Sequence, residues 1–213
     1  MHRGAYPEEK IIQGMKAALH VLNDTNMPFL VRLSTFQYIM GYVHPFYDGN
    51  GRTARFIASY FLSKHFHYIP ALRLSLTIKH QIKKYYKMFE DTHSEINCGD
   101  VTPFVIGFLE IISDTFKNID TILNRKLNQL SRYREKIKKL LPEDRLTQEI
   151  YEILLQSDSF FGQGVSVNEL IKFTGKSINT IKSRLAVIPK EHLIIEYAGK
   201  KKFYRLNAAI CRD

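Results

Sequence analysis

The sequence predicts a mainly α protein: a helical core followed by a small α+β winged helix-turn-helix. Three observations carry that expectation. Apolar residues recur at steps of three and four along most of the chain. Proline, glycine and capping residues interrupt them at short intervals. Near the end, three short helical patterns are followed by two strand-like runs around Ala198-Gly199-Lys200-Lys201.

Taken in order, Pro7 with Glu8 and Glu9 reads as a helix first turn, continued by Ile11, Ile12, Met15, Ala18, Leu19 and Leu22. Residues 23–28 break the pattern. The apolar segment Phe29–Val43 stops at His44-Pro45, where the proline disfavours helix at the residue before it. After a loop, helix resumes at Arg52 with Phe56, Ile57, Tyr60, Phe61 and Leu62. A single helix is predicted over 72–89, apolar on one side and bearing Lys79, Lys83, Lys84 and Lys87 on the other. Asn97-Cys98-Gly99-Asp100 is a turn, and Thr102-Pro103 opens a long helix with apolar steps from Leu109 to Leu141, ended by Pro142. Residues 125–145 hold eight Lys or Arg against three acids. A solvated connecting helix, a coiled-coil arm joining two copies, and a basic helix touching nucleic acid all fit this pattern. Beyond it come a helix over 146–156, a capping box at Ser166-Val167-Asn168-Glu169, a turn at Thr174-Gly175-Lys176, and a helix capped by Ser177. The expected division is a core at 1–118, a basic connecting helix at 119–145 and a winged helix-turn-helix at 146–213.

Composition narrows the class. The 213 residues are 45% hydrophobic and 12% aromatic, too apolar for disorder and long enough for a core plus a small module. Thirty-one Lys and Arg against 21 Asp and Glu leave a formal charge of +10, which favours polyanions or phosphate-bearing ligands. Two cysteines far apart, Cys98 and Cys211, make no disulfide framework, so a reducing compartment is expected. The first 20 residues carry charge rather than an apolar run, and no stretch is long enough to span a bilayer. A cytoplasmic protein with no membrane partner is the expectation.

One stretch carries chemistry: His44-Pro45-Phe46-Tyr47-Asp48-Gly49-Asn50-Gly51-Arg52-Thr53-Ala54-Arg55. Gly49 and Gly51 flank Asn50 directly before a helix. Such glycines let backbone N–H groups converge, and the helix N-terminus adds partial positive charge. Arg52 and Arg55, three apart, share one side of that helix, and guanidinium forks suit phosphate oxygens. A carboxylate beside bound phosphates makes sense as a holder of Mg²⁺, which points to Asp48. His44 is the nearby group suited to taking a proton near neutral pH. Base, metal carboxylate and phosphate clamp together describe nucleotidyl or phosphoryl transfer.

This stretch resembles the signature of the Fic family, HPFx(D/E)GNGRxxR, at every fixed position. Tyr85-Tyr86 and residues 97–104 resemble the family's region after the motif, and the winged tail is common among such proteins. The resemblance implies transfer of AMP from ATP to a Ser, Thr or Tyr hydroxyl of a target protein, with release of pyrophosphate. In that light His44 is the general base, Asp48 holds Mg²⁺, and Asn50 contacts the α-phosphate. The N–H groups around Gly49 and Gly51 form the anion hole, Arg52 grips the β-phosphate and Arg55 orients the γ-phosphate. Gly51 sets the chain with the AMP-transferring branch rather than the phosphorylating Doc-like one. Two parts of the pattern depart. Only 43 residues precede His44, so the core is expected to be N-terminally incomplete, with the family's β-hairpin flap reduced at most to residues 2–6. Ser131-Arg132-Tyr133-Arg134-Glu135-Lys136 misses the inhibitory pattern (S/T)xxxE(G/N) at its last position and reads as part of the long helix. Alternative activities are removal of AMP from a modified target, and a DNA-binding transcriptional regulator whose core binds nucleotide.

In the tail, Lys176, Lys182 and Arg184 lie in or beside the third helix, and Lys200, Lys201, Lys202 and Arg205 line the wing. That placement suits phosphate contacts with duplex DNA. Ten basic residues against seven acids after residue 145 make only a modest excess, so a protein-contacting module also fits. A homodimer is the expected assembly.

Overall fold

Pro7, which has no N–H to leave unpaired, precedes α1 (Glu8–Asn23), and Glu8 and Glu9 complement its N-terminal dipole. The computed structural model describes residues 4–141 and 143–207. They fall into two units, Met1–Thr121 and Ile122–Asp213.

In the first unit α2 (Phe29–Val43) is the central helix. It buries Leu33, Phe36 and Met40, and even its polar Ser34, Thr35 and Gln37 lie inside. Ser34 and Thr35 satisfy their hydroxyls by donating to the carbonyls of Leu30 and Val31. Next, α3 (Asn50–His65) buries Leu62 and the small Ala54 and Ala58, which let it approach its neighbours closely. Each large side chain sealed here, such as Leu74, Ile78, Phe104 and Phe108, contributes about 1.5–3 kcal/mol of transfer free energy.

The helix predicted over 72–89 is two helices, α4 (Tyr68–His80) and α5 (Ile82–His93), broken at Gln81. The break lets α4 bury Ala71, Leu74 and Ile78 while α5 buries Tyr85, Met88 and Thr92. Gln81 donates to Asp114 across 2.9 Å, a partner no local pattern reveals. After a 3₁₀ turn (Glu95–Asn97), Cys98 and Gly99 both take the left-handed conformation. Asp100 then accepts the N–H of Thr102 at 2.8 Å, and α6 (Thr102–Leu140) begins. The Asp100 carboxyl is held below its ordinary pKa by its hydrogen bonds to Thr102.

The early turns of α6 bury Phe104, Phe108 and Ile111 in the first core, whereas Leu130, Tyr133 and Ile137 are buried in the second. The units divide at residue 121, so the later part of the expected connecting helix belongs to the second unit's core. Pro142, expected to end it, lies outside the described residues, as do Cys211 and residues 2 and 3 of the expected flap remnant.

The second unit continues with α7 (Arg145–Phe161), β1 (Val165–Ser166), α8 (Val167–Thr174), α9 (Ile178–Val187), β2 (Leu193–Ala198) and β3 (Lys201–Leu206). The strands form an antiparallel sheet in the order β1-β3-β2, with Val165 opposite Tyr204 and Leu193 opposite Leu206. Ile150, Leu154, Leu170, Ile181 and Leu185 fill the core. Ser166 forms the full capping box with Glu169, and Ser177 accepts from Thr180 N. The short β1 has no signal of its own, because its pairing partner arrives in sequence only at Phe203 and Tyr204. Among the described residues no helix is long and apolar enough to cross a membrane.

Candidate functional site

The site is built where α2 stops. His44 leaves the helix in the left-handed conformation, φ 54° and ψ 57°, while its N–H still donates to Met40 O at 3.2 Å. Such a φ is uncommon outside glycine, although histidine tolerates it better than most residues. The turn folds the imidazole back so that Nδ1 lies 3.1 Å from the Gly41 carbonyl oxygen. A carbonyl can only accept, so Nδ1 carries the proton of the neutral ring and Nε2 holds the lone pair. His44 is thus set up as a base at one defined nitrogen.

The loop that follows closes on itself. Asn50 is buried, its Oδ1 accepting from Phe46 N at 2.8 Å and its Nδ2 donating to Phe46 O at 2.6 Å. The two bonds make Asn50 a brace that fixes the loop's width. Gly49 stands at φ 86°, a conformation that disfavours any side chain, and serves as the N-cap residue of α3 without a side-chain cap. Thr53 N makes the first intrahelical bond, to Gly49 O at 2.9 Å. The amides of Asn50, Gly51 and Arg52 accordingly have no acceptor inside the helix, which is the arrangement that binds anions. At Gly51 a Cβ would come 3.1 Å from Arg55 Nη1, so glycine there lets the guanidinium fold over the helix start.

Asp48 faces the same place. Its Oδ1 accepts from Gly49 N at 2.6 Å and its Oδ2 from Arg52 Nη2 at 2.8 Å. Both side chains of the pair are largely exposed. Among the described residues no group of three His, Cys, Asp or Glu side chains could hold a metal, so the metal candidate is the single carboxylate Asp48.

These groups line one cleft of about 740 Å³, a size that suits a nucleotide. Gly41, His44, Asp48, Arg52 and Arg55 line it together with an aromatic set, Tyr38, Tyr42, Tyr85, Tyr86 and Phe89. Tyr85 is anchored from behind by Gln37, whose Nε2 donates to its hydroxyl at 2.9 Å. Burial pushes the Tyr85 phenol above its ordinary pKa, so it stays neutral. Tyr38 lies against Phe89 with ring centroids 5.9 Å apart. Sequence reasoning placed none of these rings at the site; Tyr85-Tyr86 entered only through the family resemblance. The pairs Tyr38/Tyr42 and Tyr85/Phe89 have ordinary helical spacing and read as core.

In the second unit Lys176, Lys182, Lys200, Lys201 and Lys202 are exposed. Arg184 has a partner within the unit: its Nη1 donates to Asp144 Oδ2 at 2.8 Å, tying α9 to the start of α7. Arg205 is likewise occupied, by Asp158 at 2.6 Å and Glu196 at 3.0 Å.

Residues 2–62 match the model of the Fic/DOC family. That region contains α1, the His44 turn, the Asn50 brace and most of α3. No curated protein matches the chain. A solved structure described as a Fic family protein from Desulfovibrio desulfuricans G20 is similar in fold, with a TM-score of 0.50 and 21% identity. The likeness covers 95% of this chain and 57% of that one, so the chain spans little more than half that protein's length.

Proposed function

We propose that the protein is an adenylyltransferase that moves AMP from ATP onto a Ser, Thr or Tyr hydroxyl of a target protein. The observation that carries this reading is the meeting, in one cleft, of an oriented base and an uncapped helix start with two arginines. In the reaction the target oxygen bonds to the α-phosphorus, its proton passes to His44 Nε2, and the bond to the β-phosphate oxygen breaks to release pyrophosphate. Free amides at the start of α3 receive phosphate oxygens, and Arg52 and Arg55 offset the charge gathering on the leaving group. Asn50 acts as a positioning residue by setting the loop width. The aromatic set gives the nucleobase a flat apolar seat. Mg²⁺ arriving with ATP supplies charge neutralisation at the phosphates, and Asp48 is the residue that would hold it. To do so Asp48 must leave Gly49 N and Arg52, which its exposure permits. Such chemistry belongs where ATP is abundant, which supports a cytoplasmic site of action. The second unit we read as a winged helix-turn-helix, on the order α7-β1-α8-α9-β2-β3 and its β1-β3-β2 sheet.

The test is to incubate the chain and its His44→Ala variant with host lysate, Mg²⁺ and ATP labelled at either the α- or the γ-phosphate. Protein should acquire α-label and no γ-label, and should acquire it at a rate lower by about 10²–10⁴ with the variant. Transfer of γ-label would make the enzyme a kinase. Equal α-labelling by both forms would remove His44 from the mechanism.

A further inference from the structure

We propose that the residues just before α1, Gly4 above all, position His44 for its work as a base. The geometry stands without the transfer reaction; only its consequence for rate rests on that reading. A left-handed residue other than glycine is costly, and it persists where its surroundings hold it. Around His44 those surroundings come from three elements. Ala5 N donates to Val43 O at 2.9 Å, so the segment before α1 runs beside the end of α2. At Gly4 a Cβ would stand 2.8 Å from His44 Cβ, 3.0 Å from Val43 O and 3.1 Å from His44 O. At Gly14, in α1, it would stand 2.6 Å from a methyl of Val43. At Gly41, in α2, it would stand 2.5 Å from the ring of Phe89, which belongs to α5. The last turn of α2 is therefore enclosed by the chain before α1, by α1 itself and by α5.

The three approaches differ in what they touch. A carbon added at Gly14 or Gly41 meets the far end of a side chain, a valine methyl or a phenyl ring. One added at Gly4 meets backbone oxygens and the first side-chain carbon of the base itself, which no rotamer change can move. The 2.8 Å separation there is about 0.7 Å short of a carbon–carbon contact at ~3.5 Å. A catalytic group must be held to within about 0.5 Å of its productive position. Pushing His44 Cβ away would draw the ring off Gly41 O, which lies 3.1 Å from Nδ1. Loss of that acceptor frees the proton to move to Nε2, the nitrogen that must stay basic. Gly4 is thus a positioning residue that acts by leaving room.

The experiment is heteronuclear NMR of the histidine ring nitrogens of the full chain, at a pH where the rings are neutral. His44 is assigned by the loss of its signals in His44→Ala. The unsubstituted protein should show His44 as the Nδ1–H tautomer. In Gly4→Ala that signature should give way to a mixture that includes Nε2–H, with an unchanged circular dichroism spectrum. α-Label transfer should fall about 10- to 100-fold with KM for ATP within about twofold, because the start of α3 receives the phosphates. Ala5→Pro, which removes the N–H donated to Val43 O, should move the signature in the same direction. If Gly4→Ala loses its circular dichroism, Ala5→Pro decides by that signature. Gly14→Ala should lower the melting temperature and leave the tautomer as it was. A folded Gly4→Ala chain with the native signature would overturn the proposal, as would equal loss of the signature in Gly14→Ala. A chain with the native signature but no α-label transfer would refute the transfer reading alone.

Discussion

Two aspartate–arginine pairs of equal length do opposite work in this protein. Asp48–Arg52 and Asp144–Arg184 are each closed at 2.8 Å. In the first, the Asp and Arg side chains are 81% and 73% exposed; in the second, 25% and 42%. Asp48 adds one bond to its own neighbour Gly49, whereas Asp144 also accepts the N–H and hydroxyl of Thr147 at 3.1 and 2.6 Å. An exposed pair is worth little and is readily exchanged for another ligand. A pair that also caps a helix and joins two elements is part of the fold. The difference separates a pair exposed enough to open to a ligand from one that holds its module in shape.

The contrast is sharpest when each loop is cut at its brace. Asn50→Ala strips both partners from the Phe46 backbone beside the site, so the first unit should lose about 2–3 kcal/mol, and AMP transfer should fall with it. Urea melts followed alongside α-label transfer check this. Asp144→Ala removes the α7 cap and leaves Arg184 without its carboxylate. The second unit should lose about 1–2 kcal/mol, visible as a lower melting temperature with transfer unaltered. The pH dependence has a definite sign. Hydrogen bonds from Thr147, with the Arg184 charge, hold the Asp144 carboxyl below its ordinary pKa. Its stabilisation is therefore full above the unfolded carboxylate value of about 4 and is lost as pH falls through the lower folded value, because the unfolded chain binds more protons there. Asp144→Asn should flatten that acid limb. Smallest is Asp48→Asn, which should change stability by less than about 0.5 kcal/mol while depressing transfer. If it melts the first unit as much as Asp144→Ala melts the second, the contrast between the pairs fails.

What could be read from sequence was what lies within a few residues of its cause. The Ser166 box and the Ser177 cap depend on a partner three residues away, and both form as expected. The limits of α2 follow from the two prolines around it. The break at Gln81 was not legible, since its reason is a contact with Asp114 and the separate burial of α4 and α5. Nor was β1, two residues long with a partner strand far along the chain. At the site, the His44-to-Arg55 run announced itself, but the aromatic set did not. Its tyrosines have the spacing of a buried face, and their role comes from the cleft between α2 and α5.

By itself the sequence determined the helical class, the caps, the order of helices and hairpin in the second unit and the loop from His44 to Arg55, because each is written in neighbouring residues and their backbone preferences. Tertiary structure decided which charges are spent and which are offered. Arg184 and Arg205 look in sequence like Lys182 and Lys200, and only packing gives them Asp144, Asp158 and Glu196 as partners. It also decided that Asn50 turns inward to Phe46 while His44 turns back to Gly41. Residue type sets what a side chain can bind; the fold sets what stands within reach of it.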